Sequence, residues 1–300
     1  MRVFVTGASG FIGSAVVAEL RRAGHQVIGL ARSRESSDRL VGLGAEVRLA
    51  TLADLDRLRA GAAAADGVIH LAFRHGEPFE EAAETDRRVI EALGDALGGS
   101  DRPLVVTSGT LVLPAGRVGT EADAPDPAAP AAARAAGERA ALAFAARGVR
   151  ASVIRLAPSV HEREKRGFAG ALIVIAERSG VSGYLGDGSQ RWPALHRQDA
   201  ARLYRLAVEH APAGSVLHGV GEQGVALRAI AELIAARLGL PARPVPAEQA
   251  EAHFGWLATL VGTDAPASSQ ATRVLLSWEP SHPGLLDDLQ HGDFFGEAQR

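Results

Sequence analysis

Through the first half of the chain, short apolar runs alternate with longer stretches in which apolar residues return every three or four positions. The runs Arg2–Thr6, Gln26–Ala31, Glu46–Ala50, Gly67–Ala72, Pro103–Thr107 and Ala151–Arg155 predict strands. The segments between them, Phe11–Ala23, Ser36–Gly42, Leu52–Gly61, Pro78–Leu97 and Ala128–Arg147, predict helices. Strands that alternate with helices imply βαβ units, and so an α/β domain with a parallel, doubly wound sheet covered on both faces over residues 1–155. After Arg155 the alternation loosens, and residues 156–200 are rich in Gly, Pro and aromatics. A helix is predicted over 199–210, a strand over Ser215–Val220, and helices near 225–238 and 246–262. Residues 156–300 therefore read as a smaller, mainly substrate-binding lobe over the open end of the sheet, with some segments returning to it.

The first strand runs straight into VTGASGFIG, which places Gly7, Gly10 and Gly13 at GxxGxxG spacing before a helix. A glycine at the strand exit permits a tight turn, a second lets backbone approach a pyrophosphate, and a third lets helix and strand pack closely. The helix N-terminus then offers free N–H groups and partial positive charge to phosphates, with Ser9, Phe11 and Ile12 in the same loop. The second strand ends in Arg32 and Ser33, with no carboxylate to accept from an adenosine ribose. An arginine there pairs with a 2′-phosphate, which points to NADP(H) in preference to NAD(H).

Composition narrows the picture further. The 300 residues are 47% hydrophobic and 22% charged, enough for a sizeable core. A formal net charge of -3 gives no sequence-wide attraction to phosphate backbones, so no nucleic-acid partner is expected. No apolar run approaches the ~18 residues of a membrane span, and the start of the chain lacks a signal-peptide pattern; a cytoplasmic protein without a membrane partner is expected. The chain has no cysteine, which removes disulfides and thiolate chemistry. Its ten histidines fall at no metal-ligand spacing, so no metal site is expected.

TGASGFIG, VIHLA at Val68–Ala72, the strand ending in Thr107-Ser108 and RLAPSV at Arg155–Val160 together resemble the extended or atypical branch of the short-chain dehydrogenase/reductases, to which NAD-dependent epimerase/dehydratases belong. The resemblance is clear over roughly residues 1–220. It implies a Rossmann-type domain, a nicotinamide cofactor at the carboxyl ends of the strands, and a homodimer formed through helices matching 78–97 and 128–147. It also implies that Leu71, Ala72, Phe73 and Thr107 line the cofactor path, that Pro158 and Ser159 lie beside the nicotinamide, and that Ser108 takes the place of the catalytic serine. Asp199 matches a usual aspartate, read here as the N-cap of the helix that follows.

One part of the pattern is broken. Chemistry in this family rests on a tyrosine with a lysine four residues later. Here Tyr184 and Tyr204 are followed at that distance by Gly188 and Val208, and Lys165, the only lysine, is preceded by His161. PAAARAAGE (Pro130–Glu138) matches the missing helix, with Pro130 in the tyrosine place and Arg134 in the lysine place. Arginine keeps the charge and donors for a ribose, whereas proline has no proton to pass. Thr51 and Asp86 are further departures, at positions where relatives carry Asp and Asn.

Three readings follow. Another residue supplies the proton, with His161 the first choice, Tyr184 the second, and Trp192 and His196 close to substrate. Or hydride transfer to a carbonyl, imine or enone is completed by Ser108, Thr110 or water. Or the protein binds NADP(H) without catalysis, as a sensor or partner protein. The sequence favours an NADP(H)-dependent oxidoreductase of a small molecule by a non-standard proton relay. A sugar-nucleotide-type epimerase/dehydratase is a further alternative.

Overall fold

A computed structural model describes residues 1–295 of the chain. The first half builds β1 (Arg2–Thr6), α1 (Phe11–Arg22), β2 (Gln26–Ala31), α2 (Arg34–Gly42), β3 (Glu46–Leu49), α3 (Leu55–Ala63), β4 (Gly67–His70), α4 (Phe79–Leu97), β5 (Pro103–Gly109), α5 (Ala135–Ala143) and β6 (Arg150–Leu156). Then follow β7 (Ser159–His161), α6 (Gly167–Ser179), β8 (Ser182–Leu185), β9 (Arg191–His196), α7 (Arg197–His210), β10 (Ser215–Gly219), β11 (Glu222–Ala226), α8 (Leu227–Leu238) and β12 (Ala242–Val245). Four short helices complete the chain, α9 (Ala250–Phe254), α10 (Ala258–Val261), α11 (Gln270–Leu276) and α12 (Leu285–His291).

Seven parallel strands form the central sheet in the order β10-β6-β5-β4-β1-β2-β3, the doubly wound arrangement the alternation predicts. The central strands β1, β4 and β5 are largely apolar because both faces are covered, whereas the edge strand β3, EVRL, is half exposed. One face packs Val3, Val5, Val105 and Ile154 against α1 and α7. The other packs Phe4, Val68, Leu104, Val106 and Val153 against α3, α4 and α5. A third apolar cluster, around Trp192, Phe254 and Ile173, is the core of the C-terminal lobe. No helix among the described residues is long and apolar enough to cross a membrane.

Several boundaries differ from the sequence reading, each for a local reason. The helix expected over Ala128–Arg147 becomes a 3-10 turn at Ala132–Arg134, α5, and a second 3-10 turn at Phe144–Arg147. Pro127 and Pro130 lack the N–H groups a continuous helix needs and restrict the residues before them. α2 starts two residues early because Ser33 and Ser36 form a capping box, Ser33 Oγ accepting from the Ser36 N–H at 3.2 Å. The segment 156–200 holds four elements that composition concealed, and the helix expected over 246–262 is interrupted at Gly255, which adopts φ +56°.

Candidate functional site

The strand order reverses between β1 and β4, and the crevice above the carboxyl ends of such a sheet is where ligands bind in doubly wound folds. One wall of that crevice is the glycine loop. Gly7 takes φ +68°, and a Cβ added there would lie 2.7 Å from the Ala72 backbone nitrogen. A Cβ on Gly13 would lie 2.0 Å from the Gly7 carbonyl oxygen. The three glycines thus hold α1, the β1 exit and the β4 exit in contact. Gly10 is the N-cap of α1, and the first turn carries neither a side-chain cap nor an acidic residue, which leaves its positive end for an anion. The loop fits a dinucleotide pyrophosphate as the sequence expects. Arg32 stands exposed at the end of β2 with no ion-pair partner among the described residues, while Ser33 spends its hydroxyl on capping α2.

Behind the opposite wall runs a buried polar chain. The Ala72 N–H donates to Thr6 Oγ1 (3.3 Å), and Thr6 Oγ1 lies 2.6 Å from His70 Nδ1. His70 Nε2 lies 3.0 Å from Asp86 Oδ1. Because the carboxylate only accepts, the His70 Nε2–H donates to Asp86. The other Asp86 oxygen faces Arg134 Nη2 at 3.5 Å, and the same nitrogen donates to the Thr107 carbonyl at 2.7 Å. The Arg134 guanidinium lies over the Phe73 ring, 4.4 Å from its centroid. Arg134 therefore stands at the carboxyl ends of β4 and β5, anchored by Asp86. Thr107 Oγ1 bonds the His70 carbonyl and lies 2.7 Å from the Tyr204 hydroxyl; burial pushes the Tyr204 pKa well above its ordinary value, so that phenol stays protonated.

The other candidates are placed differently. Ser108 and Thr110 are buried, and neither hydroxyl has a hydrogen-bond partner among the described residues. Leu71 closes the β1–β4 pairing through its N–H, Pro158 lies between β6 and β7, and Ser159 is the first residue of β7. Trp192, expected against substrate, is fully buried: its indole donates to the Leu260 carbonyl at 3.2 Å and its ring packs on Phe168. Tyr184 lies in β8 with the Arg228 guanidinium over its ring. His161 is buried with Nδ1 2.7 Å from Asp288, and its ring meets that of His196 edge-on. None of these four reaches the Arg134 end of the crevice by any contact among the described residues. The spacing along the chain gave no sign that β7 and β9 would turn His161 and His196 toward α12.

Asp199 is not the cap of α7. That place belongs to His196, whose Nδ1 accepts from the Gln198 N–H at 3.2 Å. Asp199 instead accepts from the backbone of Ser281 and His282 and from the His282 ring; although burial raises its pKa, these bonds outweigh burial and hold it below the ordinary value. His161, His196, Asp199, Glu222, Arg273 and His282 line a cavity of about 370 Å³. His196, Asp199 and His282 bring potential ligand atoms within 4.8 Å of one another. The two imidazoles are stacked, 7° from parallel with centroids 4.6 Å apart, so their in-plane lone pairs do not converge on one ion.

Burial lowers the pKa of both His196 and His218 from 6.5. Well above pH 6.5 both are neutral in the folded and unfolded chain. Below it the unfolded chain takes up protons that the folded chain refuses, so stability falls as the pH drops from 7 toward 5, by at most about 1.4 kcal/mol per pH unit for each group. Urea midpoints at pH 7.5 and 5.5 check this; equal midpoints would contradict it.

Sequence reasoning missed the roles of His70 and Arg197. The histidine sits in an apolar run that reads simply as strand. Arg197, at the start of α7, donates to Ser14 Oγ (2.7 Å), lies over the Phe11 ring and pairs with Glu162, tying the glycine loop to the C-terminal lobe. Only the packing of α7 beside α1 brings these residues together.

The chain matches the NAD dependent epimerase/dehydratase family over residues 3–218. It is 46% identical over 298 residues to an uncharacterised protein of Schizosaccharomyces pombe, covering 98% of this chain and all of that one. It is 29% identical to a 3-diazoavenalumate denitrifying reductase of Streptomyces sp. (96% of this chain, 99% of that protein), and 28% identical to a 4-hydroxy-2-methyl-3-oxo-4-farnesyl-3,4-dihydroquinoline-1-oxide ketoreductase of Stigmatella aurantiaca (92% and 86%). Among solved structures it is similar to MoeE5 in complex with UDP-glucuronic acid and NAD, at 25% identity, a TM-score of 0.75 and 96% coverage of both chains. With the glycine loop, the strand order and the match over residues 3–218 in agreement, the chain belongs to the NAD-dependent epimerase/dehydratase family.

Proposed function

We propose that the protein is an NADP(H)-dependent oxidoreductase that reduces a small carbonyl, imine or enone acceptor without the family's tyrosine. The observation that carries this reading is the continuous wall from the glycine loop through Ala72, Thr6, His70 and Asp86 to Arg134, which ends at the strand ends beside Phe73. When bound, the cofactor would supply the hydride. Gly7, Gly10 and Gly13 would hold its pyrophosphate against the α1 N-terminus, and Arg32 would pair with a 2′-phosphate. Arg134, fixed by Asp86 and the Thr107 carbonyl, would donate to the nicotinamide ribose and stabilise negative charge on an acceptor oxygen. Two relatives whose names state reductase activities support reduction, and neither name refers to a sugar nucleotide. The sugar-nucleotide reading is supported by the ligand of the MoeE5 structure, but Pro130 gives that chemistry no acid or base. The same residue favours, as a second reading, a binding protein without turnover.

Thermal-shift titration tests the first half of the proposal. At ~100 times its dissociation constant a cofactor adds about 2.7 kcal/mol to stability. NADPH and NADP⁺ are expected to raise the melting temperature well beyond NADH and NAD⁺ at equal concentration. No shift with any of the four would overturn the reading, and a larger shift with NADH would overturn the role of Arg32. Oxidation of bound NADPH by carbonyl, imine or enone compounds then separates a reductase from a sensor.

A further inference from the structure

We propose that His75 is the proton-transferring residue of this site, in place of the tyrosine the chain lacks. This rests on the oxidoreductase reading above. The residues Phe73–Pro78 leave β4 between the glycine loop and Arg134, fold back on themselves as the His75 N–H donates to the Phe73 carbonyl (3.1 Å), and turn at Gly76 with φ +99°. The turn sets the His75 imidazole edge-on to the Phe73 ring, with centroids 5.3 Å apart, while the Arg134 guanidinium lies over the same ring. One aromatic ring thus carries an imidazole and a guanidinium together at the rim of the crevice.

Other ionisable side chains near the strand ends are already committed. Both His70 nitrogens are spent on Thr6 and Asp86, and Tyr204 is buried beside Thr107. The His75 ring sits at the rim, partly covered by its neighbours, and makes no hydrogen bond among the described residues. The charges around it are Arg134, with Asp86 behind, and the Arg74–Glu77 pair of its own turn. Desolvation by its neighbours and then the Arg134 charge lower its pKa from 6.5, which favours the neutral ring, and an imidazole can both give and take a proton.

In the reducing direction the acceptor C=O π bond opens as its carbon gains hydride, and the oxygen, drawn toward Arg134, takes a proton from the protonated imidazole. Neutral His75 then recovers a proton from solvent. One carbonyl becomes one alcohol for each reduced nicotinamide oxidised. The same imidazole acts as base when an alcohol is oxidised.

The test needs no substrate. The imidazole resonances of the full chain are followed by NMR against pH, free and saturated with NADPH or NADP⁺, with His75→Gln identifying the His75 signal. The two cofactor states differ by one positive charge on the nicotinamide ring, so a group that serves its reacting carbon is expected to titrate about half a pH unit or more lower with NADP⁺ than with NADPH. The buried His218 serves as an internal reference and is expected to give the same signal in both. If the glycine-loop amides shift on binding but His75 titrates alike in the two complexes, the proposal is overturned while cofactor binding stands. If no glycine-loop amide responds to either cofactor, the oxidoreductase reading fails and His75 falls with it.

Discussion

Replacing Gly13 by alanine is expected to remove measurable binding of NADPH, raising its dissociation constant at least about 100-fold, which is about 2.7 kcal/mol. The new Cβ would lie 2.0 Å from the Gly7 oxygen, 2.8 Å from its carbonyl carbon and 2.9 Å from Ala8 Cα. All three are backbone atoms with no rotamer to give way, so α1 must move off the loop. Its first-turn N–H groups are then no longer aimed at the pyrophosphate position, and the close packing of α1 on β1 is lost at an overpacking cost of about 1–3 kcal/mol. Gly24→Ala is the control. Gly24 also has positive φ, at +84°, but a Cβ there meets nothing within 4 Å. That variant is expected to lose some stability through backbone strain and to bind NADPH as the parent does. Fluorescence titration of both variants decides the matter: Gly13→Ala binding at the parent's affinity would mean that the loop does not cradle the cofactor.

Removing the Glu138 carboxylate by alanine substitution is expected to destabilise the fold by about 3–5 kcal/mol. Arg155, at the carboxyl end of β6, donates to Glu138 Oε2 at 2.8 Å, and Arg155 Nε lies 3.1 Å from each carboxylate oxygen. Both side chains are buried, with 3% and 2% exposure, and a second branch of the guanidinium holds the Asp123 carbonyl. In Glu138→Ala a full positive charge stays in the core without a counter-ion, whereas removing both charges together costs much less. For a chain of this size the single change corresponds to a fall of roughly 5–8 °C in melting temperature. The double variant Glu138→Leu/Arg155→Met is expected to recover most of it. A single variant that melts within about 2 °C of the parent would show that the pair is not shielded from solvent. Since α5 follows directly on Arg134, cofactor affinity should weaken in parallel.

How much of this was legible beforehand differs between fold and site. The doubly wound sheet could be read because each strand is a continuous apolar run and each helix an amphipathic one, patterns that neighbours in sequence set by themselves. The glycine loop could be read because its requirements are local: a left-handed turn at Gly7 and close approaches at Gly7 and Gly13. Arg134 lies at the end of β5, and the turn that carries it continues directly into α5.

Which polar side chains reach the crevice cannot be read that way. The sequence points to His161, Tyr184, Trp192 and His196 because the second half is expected to cover the sheet, yet where each side chain points depends on which strands pair. β7 and β9 pair with each other and turn His161 and His196 toward α12, while Trp192 closes the core of the lobe. His75 lies in a six-residue turn whose sequence carries no periodic signal. By itself, then, the sequence determined the strand–helix alternation, the tight glycine turn and the absence of a tyrosine with a lysine four residues later, because each depends on residues within one turn or one strand. The tertiary structure alone decided which ionisable groups share the crevice, because Thr6, His70, Asp86 and Arg134 come from separate elements and meet only when the sheet and its helices close around them.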